Sequence, residues 1–258
     1  MTNLNKKIQT FFLIAVFTLV AALPVFAVKF ADDSLDYKVK YKWGIINKQA
    51  GHANISLKNV GDEYIVQLTA SSEPWADKFF EVRDTLNSII SRPDFRSKFY
   101  EKIAHEGGEY KHDTVRFGYI GSKVTGDCTR RVVKKGEERV NQSLSLEAEG
   151  TTVDMMSAYY YMRAIPYDKW KPGQTETITI FSGKRKEDLT IKYHGIEDAK
   201  TDNKTFRCYH ITFIFTSDGG RKTSDDMDAW ISADSRRIPI RLEGKLPVGK
   251  VHCVYSGQ

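Results

Sequence analysis

The sequence predicts an all-β protein: a large, strongly curved antiparallel sheet, closed into a barrel or half-barrel and carrying one short helix. Three observations predict it. Apolar and polar residues alternate with period two along most of the chain, the mark of half-buried strands. Turn signals interrupt that alternation at short, fairly regular intervals. One later segment repeats its apolar residues at helical spacing instead. A sheet with one buried and one wet face is generally antiparallel, and many strands joined by short turns must curl or close to protect their edges. A two-sheet β-sandwich fits the same pattern and is the alternative.

The chain starts with a leader. Lys6 and Lys7 precede an apolar run from Phe11 to Leu23, and Val25-Phe26-Ala27 has the form of a cleavage site. This is the layout of a secretory signal peptide, expected over residues 1–27, and the run is short for a membrane span of about 20 residues. Residues 28–258 are then expected to form a single exported β domain, periplasmic or secreted, that meets a membrane only during export.

Strands follow in order. Tyr37, Val39, Tyr41 and Trp43 alternate with Lys38, Lys40 and Lys42; Val115, Phe117 and Tyr119 alternate with Arg116 and Gly118. Leu189, Ile191 and Tyr193, then Tyr209, Ile211, Phe213 and Phe215, then Ile238, Ile240 and Leu242 repeat the pattern. Between them lie turn sequences such as Asn59-Val60-Gly61-Asp62, Glu106-Gly107-Gly108, Lys135-Gly136, Ser182-Gly183 and Ser217-Asp218-Gly219-Gly220, which imply hairpins. Residues 79–104 mix strand and helix signals, with 98–104 leaning towards strand. The helix is expected from Met155 to Arg163, capped by Asp154 and ended by Pro166.

Composition excludes some classes. A net charge of +6, with basic residues scattered among acids, does not describe a nucleic-acid binder. Lys134-Lys135 and Lys184-Arg185-Lys186 read as solvated hairpin tips. Three cysteines in an exported chain permit one bridge. Cys208 and Cys253, both in strand-like runs, are the expected pair if their strands are neighbours, and three reduced buried thiols are the alternative.

No Gly-x-Ser-x-Gly, phosphate-cradling loop or His-Glu-x-x-His is present, so no catalytic residue and no cofactor is assigned. Cys208 with His210 lacks further ligands, and the acidic run Ser224 to Asp228 lacks the glycine and distal glutamate of a calcium loop, so no metal site is assigned. The aromatics are more suggestive. Trp43, Trp75, Trp170 and Trp230, with Tyr159-Tyr160-Tyr161, can line a groove for an apolar or sugar ligand, or simply fill a wide core. Trp43, Tyr159, Arg163 and Trp230 are taken as ligand-binding candidates. Asp154, Asp234, Arg237 and Pro239 are taken as structural: a helix cap, then a hairpin turn closed by Asp234 with Pro239 opening the next strand. Arg163 is expected to pair with a carboxylate such as Asp234, as a clasp or to capture a ligand anion.

Two segments carry a resemblance. Asp154-Met155-Met156-Ser157-Ala158-Tyr159-Tyr160-Tyr161-Met162-Arg163 has the form Asp-x-x-Ser-x-x-Tyr-x-x-Arg, and Trp230 to Pro239 the form Trp-x-Ser-x-Asp-x-x-Arg-x-Pro. With Tyr41-Lys42-Trp43-Gly44-Ile45 and Gly51, the chain resembles the exported bacterial proteins grouped as domain of unknown function 3108. The resemblance implies an envelope protein with a barrel-like β fold and no assigned activity. The C-terminal part is also loosely similar to the curved sheets of periplasmic lipoprotein carriers. The expected function is a non-enzymatic binding module for an apolar, lipid-like or glycan ligand, or for another envelope polypeptide, on the concave side of the sheet. An envelope-polymer hydrolase using paired carboxylates and a structural or assembly partner are the alternatives.

Overall fold

The computed structural model describes residues 28–217, 222–245 and 248–257; the expected leader and the turn at 218–220 lie outside them. Alternation becomes strands as expected. The first half of the chain runs through β1 (Asp33–Trp43), β2 (Ile46–Val60), β3 (Glu63–Ser72), the single-turn helix α1 (Pro74–Asp77), β4 (Val82–Ser91), β5 (Ser97–Glu106), β6 (Glu109–Ile120), β7 (Lys123–Lys134) and β8 (Glu137–Glu149). The second half holds β9 (Thr152–Val153), the helix α2 (Met155–Ala164), a 3-10 turn (Tyr167–Lys169), β10 (Thr175–Phe181), β11 (Lys186–Lys200), β12 (Thr205–Ser217), β13 (Lys222–Thr223), β14 (Met227–Ser232), β15 (Pro239–Lys245) and β16 (Lys250–Gly257).

All sixteen strands join one sheet, in the order β8-β7-β6-β5-β4-β3-β2-β1-β16-β15-β14-β12-β11-β10-β9, with β13 on β12. Among the described residues the first and last strands, β1 and β16, pair mid-sheet, and the two halves of the sheet run outward from that seam. The sheet curls into a nearly closed barrel whose two edges, β8 and β9, are consecutive in sequence. This is the curved sheet rather than the sandwich. Along β1 the wall is apolar inside and charged outside: Leu35 and Tyr37 are buried, while Lys38, Lys40 and Lys42 point outward.

Helix α2 lies inside the curve, and its sequence explains why. Met156, Tyr160 and Ala164 pack on the half-barrel with Phe30, Tyr64 and Phe95. Ala158, Tyr161, Met162 and Ile165 pack on the other half, with Ile178, Ile191 and Ile211. A helix apolar on both faces is a buried helix. Its start is fixed by Asp154, which accepts from the backbone N–H groups of Met156 at 2.7 Å and Ser157 at 2.9 Å. The same carboxylate accepts from the hydroxyls of Ser88 at 2.8 Å and Ser157 at 2.7 Å. Each cap bond of this kind is worth about 1 kcal/mol, and here the cap also ties the helix to β4.

Two expectations are corrected. Cys208 on β12 and Cys253 on β16 are free thiols, as is Cys128. Their strands are separated in the sheet by β14 and β15. Three strand spacings of about 4.8 Å exceed the roughly 7 Å reach of a disulfide. Burial pushes the three thiols up, Cys208 to about 12 and the others to about 11. The second correction concerns Arg163, whose carboxylate partner is Asp33 at 3.4 Å and not Asp234.

Candidate functional site

The two motif segments meet at Arg163. Its Nε donates to the carbonyl of Arg237 at 2.9 Å, and Nη2 donates to that of Arg236 at 3.0 Å. Arg237 reciprocates, Nη1 donating to the Ile165 carbonyl at the end of α2 at 3.0 Å. Asp234 shapes the turn that presents those carbonyls: its Oδ1 accepts from the N–H groups of Arg236 and Arg237 and from the Ser232 hydroxyl. Pro239 is buried and opens β15, as expected. Arg163 is 1 % exposed, its guanidinium lying 4.3 Å from the ring of Phe30 and 4.9 Å from that of Tyr160. Burial raises the carboxyl of Asp33 despite its charge partner. The cluster locks the helical plug to the β14–β15 hairpin and keeps the Arg163 guanidinium buried.

The four ligand candidates are therefore not brought together. Tyr159 sits with Arg163 inside, its hydroxyl 3.0 Å from that of Tyr37. Trp230 is on the outer face, where both faces of its ring are covered. The imidazole of His210 stacks parallel at 4.8 Å, and the Arg241 guanidinium lies at 5.2 Å. Its indole N–H donates to Glu197. Trp170 packs against Tyr167. Of the four candidates, Trp43 lines an open cavity.

That cavity is a groove of about 630 Å³ at one end of the barrel. The inward face of β1 explains it. Leu35 and Tyr37 lie under α2, but Val39, Tyr41 and Trp43 continue past the helix and stay uncovered. Val251 of β16 stands opposite Tyr41, Gly51 of β2 opposite Val39, and Ser72 of β3 opposite Gly51. Trp75 on α1 and Phe79 and Phe80 after it wall the far side. Gly51 is required by the close approach of β3, since a Cβ there would come within 2.5 Å of the Ser71 carbonyl oxygen. Gly249, at φ +82, lets the β15–β16 connection lie on Lys42 and Tyr41, whose hydroxyl donates to the Val248 carbonyl at 3.0 Å.

The few polar groups of the lining already have partners. The Ser71 hydroxyl and His52 Nε2 are 2.8 Å apart. Ser72 donates to the Asp77 carboxylate, and the Trp75 indole N–H donates to the Gln49 carbonyl at 2.8 Å. Little is left to read a sugar hydroxyl. The sequence offered Trp75 as a lining residue but not Phe79 or Phe80. The available signal was that two adjacent phenylalanines cannot both face inward on a strand.

Further round the inner wall, β4 to β7 carry charge. Lys102 and Lys111 bind Glu106 at 2.9 Å and 2.8 Å, and Arg130 binds Asp113 at 3.2 Å. Burial and the adjacent Glu106 push Asp84 up to about 6. Burial also works to raise Glu106, but hydrogen bonds from Lys111 and Lys102 outweigh it and hold that carboxyl well below the usual range. The two carboxyls are close enough to drive each other's proton affinity apart. Among the described residues no group of three or more His, Cys, Asp or Glu is placed to hold a metal ion, and no helix is long and apolar enough to cross a membrane.

Comparison with known proteins agrees with this architecture. A crystal structure described as a β-barrel-like protein of domain of unknown function DUF1849, from Brucella abortus, is similar with a TM-score of 0.61. The likeness covers 89% of this chain and 98% of that one at 10% identity, so it shows the fold alone. No curated protein matches. A family described as "Protein of unknown function (DUF3108)" matches residues 36–254, a span that holds the groove strands, the helical plug and both halves of the clasp. The chain belongs to the DUF3108 family.

Proposed function

We infer that the protein is an exported, non-enzymatic binding module that takes an apolar, lipid-like chain into the groove at the open end of the barrel. One observation carries this reading: a cavity of about 630 Å³ whose lining is almost wholly apolar and whose polar groups are already paired. Ligand sites commonly fall in the range of roughly 300–1,000 Å³. Each buried methylene contributes about 0.8 kcal/mol, so ten of them supply roughly 8 kcal/mol before ordering costs. A glycan finds few polar groups in the lining, most of them already holding a protein partner. Export rests on the leader at residues 1–27.

The hydrolase alternative draws on Asp84 and Glu106, carboxyls whose proton affinities are driven apart. A glycosidase pair flanks the scissile bond with room for the substrate between its members, whereas Glu106 is held by Lys102 and Lys111 and sits close enough to Asp84 to shift its proton affinity.

The groove reading is tested with a pyrene-labelled fatty acid in vesicle-free buffer. Wild type is expected to bind it saturably. Ala70, on the groove lining, replaced by Trp should fill the space and weaken binding at least tenfold without changing the urea midpoint. Equal binding by the two proteins, or none by either, would count against the groove.

A further inference from the structure

We propose that the rim of the groove docks onto an anionic phospholipid surface, with the groove mouth opening into the lipid. Five large apolar side chains stand in water at this end of the barrel. Trp43 is 56 % exposed, Ile45 103 %, Phe79 83 %, Phe80 55 % and Val248 54 %. They come from three separate connections: β1 to β2, α1 to β4, and β15 to β16. They therefore ring the mouth rather than forming a flat patch, and Ile45 is at a turn tip. Exposed apolar clusters of this kind mark an interaction surface.

Charge identifies the partner. Across the outer face just behind the rim, Lys245, Lys250 and Lys42 stand directly opposite one another on β15, β16 and β1. All three are exposed, and among the described residues none is in an ion pair. Like charges opposite each other in a sheet destabilise it. An external anionic surface removes that repulsion. Lys48, 4.5 Å from the Trp75 ring, and the exposed Lys78 extend the collar past the groove. The acids nearby are engaged or turned away: Asp77 and Glu81 face Arg83, and Glu73 accepts from Gln49.

Apolar tips in front of a lysine collar match the two layers of a bilayer surface. Aromatic rings settle at the headgroup level, and cations are drawn to anionic lipid. Docked in this way, the groove exchanges an acyl chain without passing it through water. That role in exchange rests on the groove reading above; docking itself stands on the rim and collar.

Co-sedimentation with phosphatidylcholine vesicles, with and without phosphatidylglycerol, tests it. Wild type should bind the anionic vesicles far better, with affinity falling as salt rises. The Lys42→Gln/Lys245→Gln/Lys250→Gln variant should lose roughly a hundredfold in vesicle affinity while binding the pyrene fatty acid normally. Ala70→Trp should do the reverse. Vesicle binding without fatty-acid binding would leave docking standing and remove the groove reading. No preference for anionic vesicles, an unaffected lysine variant, or a rim buried in a stable dimer would each overturn docking, whatever the fatty-acid result.

Discussion

Arg163 is expected from the sequence either to clasp a carboxylate or to capture a ligand anion, and its strongest bonds are to main-chain carbonyls. Its place in the Asp-x-x-Ser-x-x-Tyr-x-x-Arg segment was visible, but its partners are two main-chain carbonyls 73 and 74 residues away. Sequence spacing carries no trace of such bonds, so a side-chain carboxylate, Asp234, was the natural expectation. Trp230 is different: an aromatic on an alternating strand was legible, but the imidazole and guanidinium beside its ring come from other strands. A buried charge with one partner removed costs about 3–5 kcal/mol. Arg163→Met is therefore expected to lower stability by about that much, because it leaves the carbonyls of Arg236 and Arg237 and the Asp33 carboxyl facing an apolar side chain. Asp33→Asn should cost less, since Arg163 keeps both carbonyl bonds. Urea unfolding of the two single variants and the double variant checks this, and equal losses for the two singles would contradict the carbonyl clasp.

Elements were the most legible scale. Strand alternation, the hairpin tips at 59–62 and 135–136, and the Asp154-capped helix all follow from rules that act over a few residues. What alternation could not show is the change of character along one inner face. On β4 the inward positions pass from Ile90 and Ser88 through Leu86 to Asp84, and on β5 from Tyr100 to Lys102 and Glu106. Lysines and carboxylates on an inward face read from sequence as outward ones. The inner charge network has a pH signature. Asp84 has a folded-state pKa of about 6 against an ordinary value of 3.8, so the folded protein holds this proton more tightly than the unfolded chain. Its contribution to stability is fully present below about pH 4 and is lost as pH rises through 6. Relative to Asp84→Asn, wild type should lose stability across that window and run parallel to the variant above it. Urea midpoints at successive pH values measure the difference; parallel curves from pH 4 to 7 would show that Asp84 titrates as an ordinary carboxyl.

At the scale of the whole molecule, closure depends on one seam that joins the first and last described strands. β1 pairs with β16 over Asp36 to Lys42, and both meanders hang from that pairing. Barrel class was legible because many strands with tight turns must manage their edges. The position of the seam was not, since pairing between residues more than 200 apart leaves no local pattern, and the same blindness produced the expected Cys208–Cys253 bridge. The seam also supplies part of the groove: Val251 faces Tyr41 across it, and Gly249 brings the adjoining connection onto Lys42. A chain ending at Gly249 would therefore lose β16, expose β1 and β15 as unpaired edges, and open one groove wall, while every local strand and helix signal in the remaining sequence is unchanged. If local signals sufficed, such a chain would keep a sharp urea transition. Because each meander buries its inner face only against α2 and the opposite half, the truncated chain should instead unfold with a lower m-value, elute as higher oligomers through its free edges, and fail to bind the pyrene fatty acid. A monomer with an unchanged m-value would place the source of cooperativity in the two half-barrels separately and not in their closure.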